Sequence, residues 1–250
     1  MTRLKAGQDA YGRQVYDQFR GRDTVEIVER DDGYVDTSDG APAYFAEFAD
    51  WPAHQRRAAK YVTGRVLDVG AGAGRWSLYL QGQGHEVTAI DNSPLAIRTC
   101  RLRGVKDARV MPVTQMSPAL GRFDTTLMMG NNFGLFGSRR RARWLLRRLK
   151  SLTGPGARIV AESNDPYRTR DPIHLRYQRL NRRRGRMAGQ LRIRVRYRDA
   201  KTPWFDYLLV SRTEIESILA GTGWRVARYV DSRGSTYVAV LEREGQHDER

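Results

Sequence analysis

The sequence predicts an α/β protein built on a doubly wound, mostly parallel sheet of seven strands. Three observations support this fold class. Buried strand patterns alternate with helical patterns over 66–161, which is typical of a parallel sheet covered by helices on both faces. A glycine-rich turn follows the first of these strands. Two later strand patterns meet around Asp231–Gly234, which predicts an antiparallel C-terminal hairpin.

Composition limits the class of protein. The chain has 250 residues, 40% of them apolar, which is enough for one globular domain with a lid or an insertion. We expect no membrane segment, since no apolar run approaches the roughly 20 residues that a spanning helix needs. Cys100 is the single cysteine, so we expect no internal disulfide, no cysteine metal site and a reducing cytoplasm. The four histidines show no ligand spacing, so no metal is predicted.

The N-terminal segment, residues 1–40, is predicted to form a lid apart from a main domain at 41–250. It is polar and rich in turns. Thr24–Val28 alternates like a strand, and Asp31–Gly33 is typical of a hairpin turn. A helix is expected over Pro42–Tyr61, with a break near Trp51–Pro52.

The main domain is predicted to alternate strands and helices and to end in two strands. The helix starts carry recognisable caps, such as Ser93 before Pro94 and the capping box from Ser211 to Glu214. The predicted strands are Val66–Val69, His85–Ile90, Arg109–Val113, Phe123–Met129, Ala157–Ala161, Trp224–Val230 and Thr236–Leu241. The predicted helices pass through Trp76 to Leu80, begin at Pro94, run from Ser138 to Lys150, and run from Ser211 to about Gly221.

The strongest functional motif is the glycine-rich turn Gly70–Gly74, which follows a buried strand. Alternate glycines allow a tight turn and let a ligand approach the backbone at a helix N-terminus. Asp91 ends the second strand, where a carboxylate can accept both hydroxyls of a ribose. A dinucleotide site would favour G-x-G-x-x-G. Here the spacing is G-x-G-x-G, and Asp68 would repel a pyrophosphate but suits a cationic amino group.

The motif Val66–Arg75 resembles motif I of the class I (Rossmann-like) S-adenosylmethionine-dependent methyltransferases. The acid after the second strand, the pair Phe123-Asp124 and the terminal hairpin are also similar to that family. The resemblance covers roughly Tyr44 to Leu241, interrupted by a basic insertion. It implies a seven-stranded fold, S-adenosyl-L-methionine as cofactor, and an enzyme that transfers its methyl group.

The same resemblance implies a set of cofactor-binding residues. Relatives often place an Asp against the adenine amino group; this chain has no acid there, and the amide oxygen of Gln115 would accept the same hydrogen bond. The implied set is Asp68 and Gly70 at the methionine end, Gly72 and Gly74 as the backbone cradle, Asp91 at the ribose, Asn92, Gln115 and Met116 around the adenine, and Asn131.

Candidate catalytic residues lie near the ends of the fourth and fifth strands. Asn131 would contact the methionine moiety or orient the acceptor; alternatively it is a turn residue that tolerates positive φ. For a general base the candidates are His174, Tyr167 and Asp165, although a lone histidine is more often structural.

We expect the basic insertion, residues 163–210, to lie over the carboxyl edge of the sheet, where ligands bind. The wider span 138–198 holds 20 Lys and Arg against three acids. On the predicted strand 190–197, arginines alternate with apolar residues, so Arg192 and Arg194 share one face. One hypothesis is that they bind an anionic acceptor. The alternative is a solvated face, neutralised by the nine acids of 23–50.

The same positive charges bear on which class of molecule accepts the methyl group. A small anionic metabolite is favoured, with Tyr34 and Tyr44 as lid residues by family analogy. The basic excess permits RNA, but no RNA-binding module is appended and aromatic residues are not interleaved with the arginines. A protein that binds S-adenosylmethionine without catalysis is the further alternative.

Overall fold

The computed structural model describes residues 4–38 and 41–244 and contains two β-sheets. The strands are β1 Glu26–Arg30, β2 Val35–Ser38, β3 Val66–Val69, β4 Val87–Asp91, β5 Asp107–Val110, β6 Phe123–Met128, β7 Thr153–Asn164, β8 Gln190–Tyr197, β9 Ala200–Lys201, β10 Phe205–Leu208, β11 Trp224–Asp231 and β12 Thr236–Arg243. The α-helices are α1 Ala10–Phe19, α2 Ala53–Ala58, α3 Arg75–Gly82, α4 Pro94–Leu102, α5 Arg139–Ser151, α6 Pro172–Arg183 and α7 Arg212–Leu219.

The main sheet has seven strands in the order β11-β12-β7-β6-β3-β4-β5. Strands β3 to β7 pair in parallel, whereas β12 pairs antiparallel with both β7 and β11. The sheet is buried on both faces. Neighbouring residues of β6 belong to different cores, since Leu127 packs in one cluster and Met128 in the other. The predicted fold class is therefore confirmed. Across 4–38 and 41–244, no helix combines the length and apolar character needed to cross a membrane.

A second sheet, here called the cap sheet, joins the two segments that the sequence analysis treated separately. Its order is β10-β8-β1-β2, with β9 paired to β8. The N-terminal hairpin β1–β2 therefore pairs with the basic insertion, with Val28 opposite Val195. The insertion and the N-terminal segment form one unit.

Helix α1 links the cap sheet to the main sheet. The sequence pattern predicts no helix in this segment, because apolar residues are sparse in it. Asp9 explains how the helix is held: one carboxylate oxygen accepts the N–H of Gly12 in α1, and the other accepts that of Leu95 at the start of α4. Ala10 packs against Val195 of the cap sheet. One buried carboxylate thus caps α1 and holds it against the first turn of α4.

Three predicted elements differ from the structure by more than a shift of one or two residues at an end. The helix predicted over Pro42–Tyr61 is wrong for its first half. That half contains two short 3-10 turns, Pro42–Tyr44 and Phe48–Asp50, and α2 begins only after Pro52. A proline has no N–H to give to a preceding turn, so it starts helices and does not continue them.

The other two differences are in strands. The predicted strand Arg109–Val113 is Asp107–Val110 in the structure, because Pro112 cannot donate to the ladder and the chain turns into a 3-10 helix at Val113–Gln115. The predicted strand Ala157–Ala161 is longer, because the antiparallel partner β12 continues the pairing as far as Asn164.

Candidate functional site

The glycine-rich turn lies between β3 and α3, at the carboxyl edge of the main sheet. Gly70, Gly72 and Gly74 all have positive φ, at 75°, 58° and 77°. A Cβ added at residue 72 would lie 2.7 Å from the hydroxyl oxygen of Tyr11. Only glycine satisfies both the backbone and this close approach. The turn is therefore an open backbone cradle with the α1 tyrosine directly above it.

Asp91 lies at the end of β4 and binds this turn. One carboxylate oxygen accepts the N–H of Gly72 at 3.1 Å, and the other accepts the N–H of Ser93 at 2.9 Å. Burial raises the pKa of Asp91 from 3.8 to about 6, against the effect of these hydrogen bonds. Each oxygen keeps a lone pair, so the carboxylate can still accept hydroxyl groups of a ligand.

Asp68 lies in β3, two residues before the turn. Its carboxylate accepts the hydroxyl of Ser77 at 2.6 Å, and its side chain is buried. Burial, together with the charge of Asp91, raises the pKa of Asp68 to about 6, against the hydrogen bond from Ser77. Two buried acids therefore lie at the ends of adjacent strands. Neither forms an ion pair within residues 4–38 and 41–244, although the charge of Arg75 acts on Asp68. This arrangement suits a ligand that brings positive charge and hydroxyl groups.

The loop after β6 forms the opposite wall. Asn131 adopts φ 61°, as the turn interpretation of this residue expected. Its side-chain Oδ1 is buried and has no hydrogen-bond partner among the described residues, so its contact with a ligand stays a prediction. Asn132 donates its amide to the carbonyls of Val69 and Gly70 at 3.0 and 2.9 Å. This loop is thereby tied to the glycine turn.

Glu162 anchors the same loop from β7. Its carboxylate accepts the backbone N–H groups of Gly130 and Asn131, and it also accepts His54 Nε2 at 2.6 Å and the amide of Gln55 at 3.0 Å. Burial opposes ionisation, but the hydrogen bonds from His54 and Gln55 outweigh it, so the pKa of Glu162 lies below its ordinary value. The buried acid is a positioning group for the loop.

Four side chains from the N-terminal region and the insertion meet above the turn; they are called the tyrosine–glutamate cluster. Tyr44 donates its hydroxyl to Glu26 at 3.0 Å, and its ring contacts that of Tyr11 with centroids 5.4 Å apart. Tyr207 of β10 donates to the carbonyl of Asn131 at 2.6 Å. Burial raises the pKa of Tyr207, and the charge of Glu26 contributes. The cluster consists of Tyr11, Glu26, Tyr44 and Tyr207.

The faces of the cap sheet decide which side chains reach this site. Residues directly opposite each other on paired strands share a face. Val28 is opposite Val195, and Phe205 is opposite Ile193. By alternation Glu26 and Tyr207 lie on this same face, here called the inner face. The inner face packs on α1.

The arginine row of β8 lies on the other face. Arg194 is opposite Glu29 and forms an ion pair with it, whereas Arg192 is opposite Asp206 and pairs with it at 3.4 Å. Arg196 also pairs with Glu29. This arrangement matches the alternative of a solvated face neutralised by carboxylates. Binding of an acceptor by Arg192 and Arg194 stays a prediction, and their side chains do not join the tyrosine–glutamate cluster.

The candidate bases beyond β7 lie elsewhere. His174 Nδ1 is 3.0 Å from Arg30 Nη1, and its ring contacts that of Tyr34. Arg30 is four strand residues from Glu26, about 13 Å along β1. Tyr167 is exposed and donates its hydroxyl to Glu214 at 2.7 Å. Of the two predicted lid tyrosines, Tyr44 joins the cluster and Tyr34 does not.

The predicted adenine contacts are brought together only in part. Asn92 follows Asp91, and its carbonyl accepts the N–H of Leu4. Gln115 is exposed in the 3-10 turn after β5. The side chain of Met116 is fully buried in the main core, and its contact with the adenine stays a prediction.

Several site residues were missed by the sequence analysis. Glu26 lies within the predicted strand 24–28, and its alternation could have placed it on the inward face, but nothing local shows what that face covers. Tyr11 and Gln14 belong to a helix that was not predicted. Tyr207 lies within Trp204–Val210, which the sequence also predicts to be a strand, but the partner of that strand could not be read from its sequence.

These residues fit the cofactor that the family resemblance implies. The turn presents the backbone of three glycines with positive φ, Asp91 has acceptor capacity left, and Asp68 lies where a cationic amino group would be stabilised. Asn131 adds a buried oxygen without a described partner.

Comparisons with known proteins agree with this geometry. A family model described as a methyltransferase domain matches residues 66–156. A solved S-adenosylmethionine-dependent methyltransferase from Bacteroides fragilis, in complex with S-adenosyl-L-homocysteine, is 28% identical and superposes with a TM-score of 0.83. That match covers 98% of each chain. No curated protein sequence matches the chain.

Two more distant structures share the fold alone. The 1,6-didemethyltoxoflavin-N1-methyltransferase from Burkholderia thailandensis, solved with S-adenosylhomocysteine, is 19% identical over 83% of each chain, with a TM-score of 0.53. CalS10, an amino pentose methyltransferase from Micromonospora echinaspora solved with S-adenosylmethionine, is 18% identical. It covers 81% of this chain and 95% of its own, with a TM-score of 0.54.

Proposed function

We propose that this chain is a class I S-adenosylmethionine-dependent methyltransferase that methylates a small molecule held between the glycine turn and the inner face of the cap sheet. The observation that carries the proposal is the position of the tyrosine–glutamate cluster. Tyr11 lies directly over Gly72, and Tyr207 is hydrogen-bonded to Asn131. Polar side chains thus converge above the cofactor cradle, where an acceptor has to lie.

When bound, S-adenosylmethionine supplies an electrophilic methyl group: the acceptor's lone pair bonds to the methyl carbon as the carbon–sulfur bond breaks and its electrons stay on sulfur. The chain's own residues hold the reactants. Asp91 would accept the ribose hydroxyls, and Asp68 would stabilise the amino group of the methionine end. Asn132 ties the loop after β6 to the cradle and so fixes the gap between them. Such alignment is the main contribution expected of an enzyme to an in-line displacement.

Exclusion of water is the second task, and α1 with the cap sheet is arranged for it. Asp9 fastens α1 to the N-terminus of α4, next to the cradle. Ala10 and Val195 close the interface between α1 and the cap sheet. A lid assembled from two distant chain segments would leave space for a small acceptor more readily than for a folded RNA, which supports the small-molecule class.

The structure also bears on whether the acceptor carries a negative or a positive charge. The sequence favoured an anion bound through Arg192 and Arg194, and that prediction now has to accommodate their ion pairs with Asp206 and Glu29. An anion would have to displace these carboxylates from the arginines. The inner face instead offers Glu26 and tyrosine hydroxyls, which favour an acceptor that carries a proton or a positive charge.

An assay of S-adenosylhomocysteine formation tests the proposal. The purified chain would be incubated with S-adenosylmethionine and a panel of small amines, alcohols, phenols and carboxylic acids, beside total tRNA and rRNA. We expect product with a small molecule and none with RNA. Methylation of RNA alone, weakening steeply with added salt, would favour the RNA alternative. Tight cofactor binding with no turnover by any acceptor would favour a non-catalytic binding protein.

A further inference from the structure

Glu26 is a carboxylate without a cation. Among the described residues it forms no ion pair, although the chain has an excess of positive charge, and its hydrogen-bond partner is the hydroxyl of Tyr44. By contrast Glu29, three residues along the same strand, pairs with both Arg194 and Arg196 on the other face. Glu26 is therefore an acid on the inner face that no described cation neutralises, in contact with the tyrosines above the cofactor cradle.

The surroundings of Glu26 favour a positive ligand. Asp36 of β2 lies on the same face, opposite Val28, and its charge acts on Glu26. Burial raises the pKa of Glu26 above its ordinary value, against the hydrogen bond from Tyr44. The rings of Tyr11, Tyr44 and Tyr207 complete the wall. Aromatic faces and a carboxylate together are the chemistry that recognises an ammonium group.

Two buried polar groups flank the cluster and lack partners. Gln14 is fully buried, and neither atom of its side-chain amide has a hydrogen-bond partner in the part of the chain that the structure describes. Gln14 lies one turn after Tyr11 on α1, between Ala10 and Asp17, and both of those contact residues of β8 on the inner face. Asn131 Oδ1 is the second such group. A buried amide left unpaired is costly, so these atoms indicate a ligand with hydrogen-bonding groups.

We propose that the tyrosine–glutamate cluster binds the amino group of the acceptor, with Gln14 and Asn131 contacting its polar substituents, so that the molecule methylated is an amine. The inference rests on the proposed function and names its acceptor class. It replaces the anion favoured from the sequence with a cation.

The proton balance defines the role of Glu26. The bound ammonium gives one proton to the Glu26 carboxylate and becomes a neutral amine. Its nitrogen lone pair then forms the bond to the methyl carbon, the carbon–sulfur bond breaks with its electrons on sulfur, and the products are a methylated ammonium and S-adenosylhomocysteine. Glu26 returns the proton to water when the products leave. Glu26 is thus a general base in contact with the acceptor.

The cofactor itself is a second source of positive charge, since it carries a sulfonium. The two sources are distinguished by titrating S-adenosylmethionine and S-adenosylhomocysteine into wild type and Glu26→Gln, because only the first ligand has the sulfonium. If Glu26 faces the acceptor, both affinities stay within about threefold of wild type. A loss of about tenfold or more for S-adenosylmethionine alone would assign Glu26 to the cofactor and overturn the proposal.

Amine binding is tested on the chain loaded with S-adenosylhomocysteine. The probes are benzylamine, cyclohexylamine and tyramine, each beside its hydroxyl and carboxylate analogues, followed by ligand-observed NMR. We expect the amines to bind and to weaken by about tenfold or more in Glu26→Gln. Glu29→Gln is the matched control, the same change on the same strand facing the other way, and should bind the amines like wild type.

Other outcomes overturn the inference. Preference for the carboxylates, equal amine binding in Glu26→Gln, or no amine binding to the loaded chain would each contradict it. With any amine that is turned over, Glu26→Gln should lower kcat by about 10²-fold or more and leave S-adenosylhomocysteine binding intact. Failure of wild type to bind S-adenosylhomocysteine is a different result, because it would remove the proposed function and not only its acceptor class.

Discussion

The carboxylate of Asp91 accepts a hydrogen bond from the backbone N–H of Gly72, with Oδ2 and N 3.1 Å apart. The acid expected to hold a ribose therefore also fixes the middle of the glycine turn. Ser93 N–H occupies the other carboxylate oxygen at 2.9 Å. Because the acid and the turn lie on adjacent parallel strands, one side chain sets both the shape of the cradle and its polarity.

Replacing Gly72 by alanine tests the cradle directly. A Cβ there would be 2.7 Å from the Tyr11 hydroxyl, at a backbone φ of 58°. We expect S-adenosylhomocysteine affinity to fall by about tenfold or more, measured by calorimetry, with a stability cost of about 1–2 kcal/mol. Gly84→Ala is the control, since φ is 88° there and the added Cβ meets open space. Adding Tyr11→Phe to Gly72→Ala should restore part of the affinity, because it removes the hydroxyl that the new Cβ would meet. If Gly72→Ala and Gly84→Ala weaken binding equally, the close approach of Tyr11 to residue 72 does not matter for the cofactor.

Cofactor binding should depend on pH through the two buried acids. Burial raises the pKa of Asp68 and of Asp91 to about 6. Below that pH both become protonated and lose the negative charge that the ligand needs. We expect S-adenosylhomocysteine affinity to rise from pH 5 to pH 7 and then to level off, and Asp91→Asn should flatten the rise. Affinity that is constant between pH 5 and 7 would show that these acids do not contact the ligand.

The stability of the unliganded chain should fall as the pH rises, whereas the affinity for S-adenosylhomocysteine should increase. An acid whose pKa is raised by folding stabilises the fold at low pH, and that contribution is lost as pH rises from the unfolded value, near 3.8, through about 6. A shift from 3.8 to about 6 corresponds to roughly 3 kcal/mol for each group. Urea unfolding should therefore show Asp91→Asn to be at least as stable as wild type at pH 7.5, with a smaller gain at pH 5. A destabilised variant at pH 7.5 would mean that the lost hydrogen bonds dominate.

Glu162 should affect the pH dependence of stability in the opposite direction from Asp68 and Asp91. Its pKa lies below the ordinary value despite burial, because His54 and Gln55 hydrogen-bond to the ionised form. Its contribution to stability is present at neutral pH and is lost as pH falls through the folded pKa. We expect Glu162→Ala to cost about 3 kcal/mol in urea unfolding at pH 7, because it leaves the N–H groups of Gly130 and Asn131 unpaired. A cost below about 0.5 kcal/mol would contradict its role as an anchor.

Charge reversal at Arg194 separates the two interpretations of the arginine row. Arg194→Glu places a carboxylate against Glu29, so we expect a loss of about 1 kcal/mol or more in thermal or urea unfolding. Arg228→Glu, on the antiparallel hairpin, serves as an exposed control. If the row only neutralises Glu29, the KM of an identified acceptor stays at its wild-type value. A raised KM with unchanged stability would instead support the anion hypothesis.

The main sheet was predictable because its signals are local. Val66–Val69 is a short, mainly apolar run, the glycines follow it directly, and Ser211 with Glu214 forms the predicted capping box. Short apolar runs of this kind belong to parallel strands buried on both faces. The cofactor class followed from the same segment, since Asp68 and the glycine spacing are only a few residues apart.

The acceptor side was not predictable for a physical reason. The inward position of Glu26 depends on pairing between β1 and β8, which are far apart in sequence, and no local pattern encodes that partner. Helix α1 is stabilised by Asp9 across two helices, and its own apolar residues are too few to show its period. The arginines of β8 looked functional because their partners, Glu29 and Asp206, come from other strands.

Calorimetric titration with S-adenosylmethionine, S-adenosylhomocysteine and NAD, on wild type and Asp91→Ala, tests the central claim most directly. The account predicts micromolar binding of the two sulfur compounds, a loss of about tenfold or more in Asp91→Ala, and no binding of NAD. Binding of NAD alone, or equal affinity of wild type and Asp91→Ala for S-adenosylhomocysteine, would contradict it.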